Sequence, residues 1–153
     1  MMFMTDSATG LYSRGYVLDY LRNAILRSLR SRESVTLLLF ELRQEGERVP
    51  GSPGVPWRRV ADAFRSATRR GDLLGRIRPH EILLVPSGPL PCALHVMHRA
   101  MERVRCWTGE CLRAGIARAP EDGLDPALLI ATAQTTLEWV KKEPHEDGCL
   151  RAR

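Results

Sequence analysis

The first pattern in the chain is a helical alternation of apolar and basic positions between residues 16 and 29. Apolar side chains recur there every three or four positions, and Arg22, Arg27 and the following Arg30 lie among them. The apolar positions are Tyr16, Leu18, Leu21, Ile25, Leu26 and Leu29. This spacing predicts an amphipathic helix of about five turns.

A different pattern follows at residues 34–42, where apolar side chains are almost unbroken. A strand that is apolar on both faces normally lies inside its sheet, with a neighbour on each side. We therefore expect a central strand here. Residues 43–56 then contain three prolines and three glycines, which predicts a loop.

The rest of the chain carries helix and strand patterns separated by turn residues. In chain order these are a helix at residues 57–70 that stops at Gly71, a hairpin of residues 73–77 and 82–85, a helix at residues 90–104, a strand at residues 112–119, a helix from Pro126 to about Lys142 and a short edge strand at residues 149–153. Pro79 falls at the tip of the hairpin, and Pro126 follows Asp125 at a position suited to the first turn of a helix.

Helices therefore alternate with strands, and one hairpin interrupts the alternation. Such an order predicts an α/β fold in which helices flank a mixed sheet. A length of 153 residues suits one domain, which we expect to span residues 1–153 with its core from about residue 5. The composition, 44% hydrophobic and 27% charged, is that of an ordinary globular protein.

Two features bear on the cellular compartment. No apolar run approaches the ~20 residues that span a bilayer, and the first residues lack the basic region and cleavage site of a signal peptide. We therefore expect a cytoplasmic protein without membrane insertion. Cys92, Cys106, Cys111 and Cys149 form no Cys-x-x-Cys pair, so reduced thiols are expected rather than a zinc site.

The net charge of +5 comes from an unusual set of basic residues, because all of them except Lys141 and Lys142 are arginine. Arginine forks to phosphate and stacks on bases better than lysine does, which favours an anionic or nucleotide partner. Codon preference in a GC-rich genome would give the same excess. No helix-turn-helix or other DNA-reading module is recognisable, so DNA is not an expected partner.

Several short motifs, in order, resemble those of the GGDEF (diguanylate cyclase) domains. Residues 6–14 are similar to the D-x-L-T-G-L-x-N-R sequence that begins these domains, with departures at Ala8 and Ser13. Residues 69–77 resemble the R-x-G-D-L-x-x-R-Y approach to the family signature, and residues 78–82 occupy the signature itself. The resemblance covers nearly the whole chain and implies the GGDEF, nucleotide-cyclase-like fold.

The resemblance also implies what the signature should do. Diguanylate cyclases join two GTP molecules, with metal ions held by carboxylates and with signature glycines that let the backbone approach the phosphates. Here Arg78 and Pro79 replace both glycines and His80 replaces an acidic residue, although imidazole suits Mg²⁺ poorly. The loop at the family's guanine-binding segment contains no Asn or Asp. We expect no cyclase activity and no cofactor; Glu41 and Glu81 are left either to hold a metal or to be solvated or salt-bridged.

A second family motif survives in this chain. Arg69 and Asp72 match the R-x-x-D inhibitory motif, which binds cyclic di-GMP, commonly as two stacked molecules, in related cyclases. Counting from the hairpin places Arg99 at the family's secondary arginine, with Arg103 one turn further and Arg65 one turn before the motif. The alternative is a helix-end arginine and an aspartate that caps a tight turn.

These observations favour a catalytically inactive receptor. The expected ligand is cyclic di-GMP, with the signal passed to a protein effector or to a second copy of the chain. One alternative is an interaction scaffold of the same fold that binds no ligand, and another is a cyclase that uses the two remaining carboxylates.

Overall fold

The computed structural model describes residues 4–42 and 54–142, which alternate between strands and helices. The elements are β1 (Tyr12–Ser13), α1 (Arg14–Ser31), β2 (Val35–Leu42), α2 (Trp57–Ala67), β3 (Leu73–Arg78), β4 (Glu81–Val85), α3 (Leu90–Thr108), β5 (Leu112–Ala119) and α4 (Pro126–Lys142). The strands form one sheet in the order β1-β3-β4-β2-β5. The pair β1–β3 is parallel and the other neighbouring strands are antiparallel. This is the expected mixed α/β arrangement.

Strand β2 lies inside the sheet, between β4 and β5, which confirms the prediction from its apolar run. Leu37 and Leu39 face a core that α1 and α4 cover. Leu38 and Phe40 alternate with them and face a second core under α2 and α3. Helices cover both faces of the sheet at residues 37–40 of β2, and this explains the unbroken apolar run there.

Strand β5 and the start of α4, near the C-terminal end of the described region, lie where the sequence predicts. Strand β5 covers residues 112–119, and α4 runs from Pro126 to Lys142. The Asp125 carboxylate accepts a hydrogen bond from the backbone N–H of Leu128 at 3.2 Å, as a residue that caps a helix N-terminus does. The hairpin of β3 and β4 and its turn at Pro79 are also confirmed.

Two helix ends differ from the prediction. Helix α2 ends at Ala67 rather than at residue 70, because Thr68 is extended and the carboxylate of Asp72 takes the backbone N–H of Arg69 at 2.8 Å. A side chain that binds a backbone N–H in this way competes with the helix. Helix α3 continues one turn beyond residue 104, to Thr108, and Gly109 ends it with φ of 75°.

Three other expectations need comment. The two-residue strand β1 was not predicted, and pairing with β3 is what orders it. Cys111 is disulfide-bonded, so the expectation of reduced thiols is wrong for that cysteine, whereas Cys92 and Cys106 are free. The edge strand at residues 149–153 and most of the loop at residues 43–56 lie outside the described residues.

None of the helices within residues 4–42 and 54–142 is both long enough and apolar enough to cross a membrane.

Candidate ligand site at the end of helix α2

The turn between α2 and β3 brings the two residues of the R-x-x-D motif together. The Oδ2 atom of Asp72 accepts the backbone N–H of Arg69 at 2.8 Å, and the backbone N–H of Asp72 donates to the carbonyl of Arg69 at 3.0 Å. Oδ1 of Asp72 accepts both the N–H (2.8 Å) and the hydroxyl (2.9 Å) of Ser87. The motif therefore has a structural task, and its carboxylate is fixed in place by three donors.

The side chain of Arg69 is in a different situation from its backbone. Arg69 is exposed, and its guanidinium makes no hydrogen bond or ion pair with any residue that the structure describes. A guanidinium offers five N–H donors in a planar fork. Those donors are available to a ligand next to a carboxylate that is already held in position.

A groove of about 510 Å³, which we call the α2-turn groove, opens beside this turn. One wall is the turn itself, with Thr68, Arg69, Arg70 and Asp72, and the other wall is the N-terminal segment, including Thr5 and residues 10–12. Arg65 and Leu74 complete the lining. Three of the five predicted site residues, Arg65, Arg69 and Asp72, therefore line one groove.

Arg65 contributes to this groove mainly as a brace. Its Nη2 donates to the carbonyl of Thr9 at 2.6 Å, and its Nη1 pairs with Asp62 at 3.0 Å. Gly10, with φ of 73°, lies so close that an added Cβ would be 3.0 Å from the same Nη2. Arg65 thus joins α2 to the N-terminal segment and helps to set the width of the groove.

The remaining two predicted residues do not line the groove. Nε of Arg99 donates to the carbonyl of Ala67 at 2.7 Å, and Nη1 of Arg103 donates to the hydroxyl of Ser66 at 2.9 Å. Both guanidiniums reach from α3 to the last turn of α2, where carbonyls lack helical partners and the helix dipole favours a cation. In this conformation they support the end of α2 from behind.

Two residues of the site were missed by sequence reasoning. Arg70 lines the groove and follows Arg69 directly, so it could have been included on charge alone. Ser87 lies 15 residues beyond Asp72 in a short connection after β4. Only the pairing of Leu73 with Val85 in the hairpin brings Ser87 to Asp72, and no local pattern signals that register.

The two carboxylates that the family resemblance places near the signature are close to each other and to positive charge. Glu41 and Glu81 are direct neighbours across β2 and β4. Nζ of Lys141 lies 2.8 Å from Glu41, and Nη1 of Arg78 lies 3.7 Å from Glu81, whose side chain is mostly buried. Partial burial alone would lower the pKa of Lys141, but its hydrogen bonds to Glu138 and Glu41 raise that pKa above its ordinary value. Both carboxylates are thus paired with cationic side chains in the structure.

The signature hairpin is held by Arg76. Its Nη2 donates to the carbonyl of Pro79 at 2.8 Å, its Nη1 pairs with Asp6 at 3.0 Å, and its guanidinium carbon lies 4.7 Å from the centre of the Trp57 ring. The turn at Pro79 and His80 is therefore fixed by contacts within the protein. Within residues 4–42 and 54–142 there is no group of three or more His, Cys, Asp or Glu side chains that could hold a metal.

The contact between Asp6 and Arg76 leads to a prediction about pH. Burial alone would raise the pKa of Asp6, but hydrogen bonds from Thr9 and Arg76 lower that pKa below its ordinary 3.8. A carboxylate with a lowered folded-state pKa contributes stability above its unfolded pKa and loses it as the pH falls through the folded pKa. Asp6→Asn should therefore reduce the free energy of unfolding at pH 7, and the deficit should shrink below pH 3.8. Urea denaturation across this range measures the difference, and a deficit that does not change with pH would contradict the ion pair.

Among known proteins, the chain is similar to solved structures. No family model matches the chain, and no curated protein matches it. A sensory box/GGDEF family protein from Caulobacter crescentus superposes with a TM-score of 0.78 at 21% identity, covering 92% of this chain and 99% of that one. The FimX GGDEF domain from Pseudomonas aeruginosa gives 0.80 at 19% identity, with coverage of 99% and 100%.

A third similar structure was solved with a ligand. The GGDEF domain of DgcB from Caulobacter crescentus, in complex with c-di-GMP, superposes with a TM-score of 0.75 at 14% identity and covers 93% of this chain and 91% of that one. Similarity at such low identity establishes architecture and leaves the ligand open. The chain has the fold of the GGDEF domains, the fold of the diguanylate cyclase type.

Proposed function

We propose that this domain is a receptor for cyclic di-GMP that binds the ligand in the α2-turn groove and has no cyclase activity. The observation that supports it most directly is the pairing, at the rim of one groove, of the free guanidinium of Arg69 with the positioned carboxylate of Asp72. A guanidinium forks to a phosphate or to the acceptor edge of guanine, and a carboxylate accepts the guanine N1–H and N2–H.

The hydrogen bonds already made by Asp72 limit how it can take part. A carboxylate has about four acceptor positions, and two donors from Ser87 and one from Arg69 occupy three of them. The remaining position, on Oδ2, lies on the same oxygen that caps Arg69. One guanine N–H can therefore be accepted without disturbing the turn, while Arg69 and Arg70 contact the anionic part of the ligand.

Titration calorimetry with cyclic di-GMP tests the proposal, and the stoichiometry is informative. Two ligands per chain would indicate a stacked pair, as the family resemblance implies. If folded protein gives no heat at high micromolar ligand, the remaining hypothesis is an interaction scaffold that binds no ligand. The hydrogen bonds of the Asp72 carboxylate within the turn are the observation that favours this alternative. Sedimentation with and without ligand shows whether a second copy of the chain receives the signal.

The proposed lack of turnover gives a separate prediction. We expect no conversion of GTP to cyclic di-GMP, because Arg78 and Pro79 occupy the turn where nucleotide phosphates would approach and because Glu41 and Glu81 already have cationic partners. Incubation with GTP and Mg²⁺ or Mn²⁺, followed by chromatography, is the measurement. The matched control is Glu41→Ala/Glu81→Ala, and product above that control would sink the proposal.

Ser87 provides a prediction about how Asp72 is positioned. Ser87→Ala removes one of the two donors to Oδ1 and leaves the backbone N–H, so the carboxylate is held less firmly. The affinity for cyclic di-GMP should fall about fivefold, as expected for about 1 kcal/mol from one hydrogen bond. Ser87→Thr keeps the hydroxyl and should retain the affinity. Equal affinities for the alanine variant and the wild-type protein would show that this donor does not position Asp72.

A further inference from the structure

A second cleft lies on the other side of Ser87, and none of the functions above uses it. Its volume is about 590 Å³, within the range of small-molecule sites. The second half of α1, the start of β2, the connection from β4 to α3 and Arg118 of β5 form its walls. We call it the β4–α3 cleft. Asp72 and Arg69 do not line it.

Two arginines bring positive charge to this cleft. Arg27 and Arg118 reach it from different elements, and neither guanidinium makes a hydrogen bond or ion pair within the described part of the chain. Nε of Arg118 is buried without an acceptor. A buried charged donor without an acceptor is costly.

Acidic groups do not neutralise these arginines. Glu33 is the one acidic residue among those that line the cleft, and it is exposed. Glu121 lies outside the lining, and the hydrogen bond from the Ser34 hydroxyl at 2.5 Å and the nearby charge of Arg118 lower its pKa, so its carboxylate stays charged and offsets part of the Arg118 charge. The cleft therefore has two guanidiniums against one exposed carboxylate, which gives it a net positive lining.

The hydroxyl groups sharpen the expected ligand chemistry. Ser28 donates to the carbonyl of Ile25 at 2.6 Å, and Ser34 and Ser87 donate to Glu121 and Asp72. The hydroxyl of Ser31 adds a donor at the rim, since no hydrogen bond commits it within the described residues. The donors left for a ligand are therefore the two guanidiniums and the Ser31 hydroxyl, because the other three hydroxyls have already donated their single proton within the protein.

The rest of the lining is apolar and includes one aromatic ring. Tyr20, Val35, Pro86 and Leu90 contribute to it. The guanidinium carbon of Arg27 lies 5.9 Å from the centre of the Tyr20 ring, so the ring and the charge face the same space. This combination suits a ligand with an anionic group at one end and an apolar or aromatic body at the other.

We propose that the β4–α3 cleft binds a small organic phosphate, with the phosphate between Arg27 and Arg118 and the organic part against Tyr20. Phosphate is favoured over carboxylate because two guanidiniums from separate elements can each fork to it, and a carboxylate has only two oxygens to share. The cleft shares no lining residue with the α2-turn groove, so the proposal does not rest on cyclic di-GMP binding.

Titration of the full chain with phenyl phosphate, inorganic phosphate and benzoate tests the proposal. Phenyl phosphate should bind more tightly than either of the others, because it alone has both halves of the ligand. In ¹⁵N NMR spectra the Nε–H resonance of Arg118 should shift as phenyl phosphate is added. Binding that leaves this resonance unchanged, or no binding at all, would overturn the assignment.

Variants locate the site within the protein. Arg27→Ala and Arg118→Ala should each weaken phenyl phosphate binding by about tenfold. Arg30→Ala removes an exposed charge from the same helix outside the cleft and should have no effect. Glu33→Gln should strengthen binding, because it removes a repelling carboxylate. Equal binding by Arg27→Ala and wild-type protein, or loss of phenyl phosphate binding in Arg69→Ala, would place the phosphate elsewhere and contradict the proposal.

Discussion

Replacing Arg69 with alanine is expected to weaken cyclic di-GMP binding by roughly ten- to a hundred-fold. The substitution removes a charge-assisted and bidentate contact, worth ~1.5–3 kcal/mol. It should leave the fold intact, because the Arg69 side chain is exposed and only its backbone N–H and carbonyl serve the turn. Calorimetry on the variant and the wild-type protein measures the difference.

The control for this prediction is Arg58→Ala. Arg58 is exposed on α2, the helix that precedes the turn, and it does not line the α2-turn groove, so its removal subtracts the same charge without touching the site. Equal losses of affinity in both variants would show that cyclic di-GMP is attracted by the overall positive charge of the protein. That result would contradict binding in the α2-turn groove. Arg69→Lys keeps the charge without the fork and should fall between the two.

Variants of Asp72 and Glu41 distinguish binding in the α2-turn groove from binding at the signature edge. Asp72→Ala should weaken binding to a similar extent, but it also removes three hydrogen bonds of the turn, so its melting temperature must be measured beside its affinity. Glu41→Ala should leave binding unchanged. Loss of binding in Glu41→Ala with retention in Arg69→Ala would move the ligand to the signature edge.

The largest expected effect on stability is at Gly115. A Cβ on this residue of β5 would lie 2.2 Å from the carbonyl oxygen of Ala133 and 3.0 Å from the backbone N of Leu137. Because both atoms belong to the backbone of α4, the whole helix has to move away from the sheet. Gly115→Ala should cost about 3 kcal/mol of the free energy of unfolding, at the upper end of overpacking effects. Urea denaturation is the measurement.

Gly75 offers a matched comparison, because its added Cβ would lie 2.2 Å from a side-chain atom, Cγ2 of Val17. Gly75→Ala should therefore be partly rescued by Val17→Ala, which removes the obstructing methyl groups. No side-chain substitution is available to relieve Gly115→Ala in the same way. A denaturation midpoint for Gly115→Ala equal to that of the wild-type protein would show that α4 does not press on β5 as described.

The elements that the sequence predicted well are those whose signals are local. Strand β5 is bounded by turn residues, and α4 begins with a proline behind an aspartate that caps it. The central position of β2 could be predicted from its apolar run, because helices cover both sides of the sheet. Such features need only a few neighbouring residues for their explanation.

The features that escaped prediction depend on partners that are distant in the chain. The early end of α2 follows from a carboxylate that binds outside the helix, and β1 exists because β3 is beside it. The bracing role of Arg65 needs an acceptor 56 residues away, the carbonyl of Thr9. Motif spacing predicted Arg69 and Asp72 as site residues. It could not predict which of the other arginines form hydrogen bonds within the protein.

The contact between Asp72 and Ser87 also joins the two clefts mechanically. Ser87 lines the β4–α3 cleft, while the carboxylate it holds lines the α2-turn groove. A ligand that displaced residues 86–88 would have to carry Asp72 with it or break two hydrogen bonds. Occupancy of one cleft would then change the affinity of the other, and thermodynamic reciprocity requires the coupling free energy to be the same in both directions. If both clefts bind their ligands as proposed, these two hydrogen bonds couple the affinity of one cleft to the occupancy of the other.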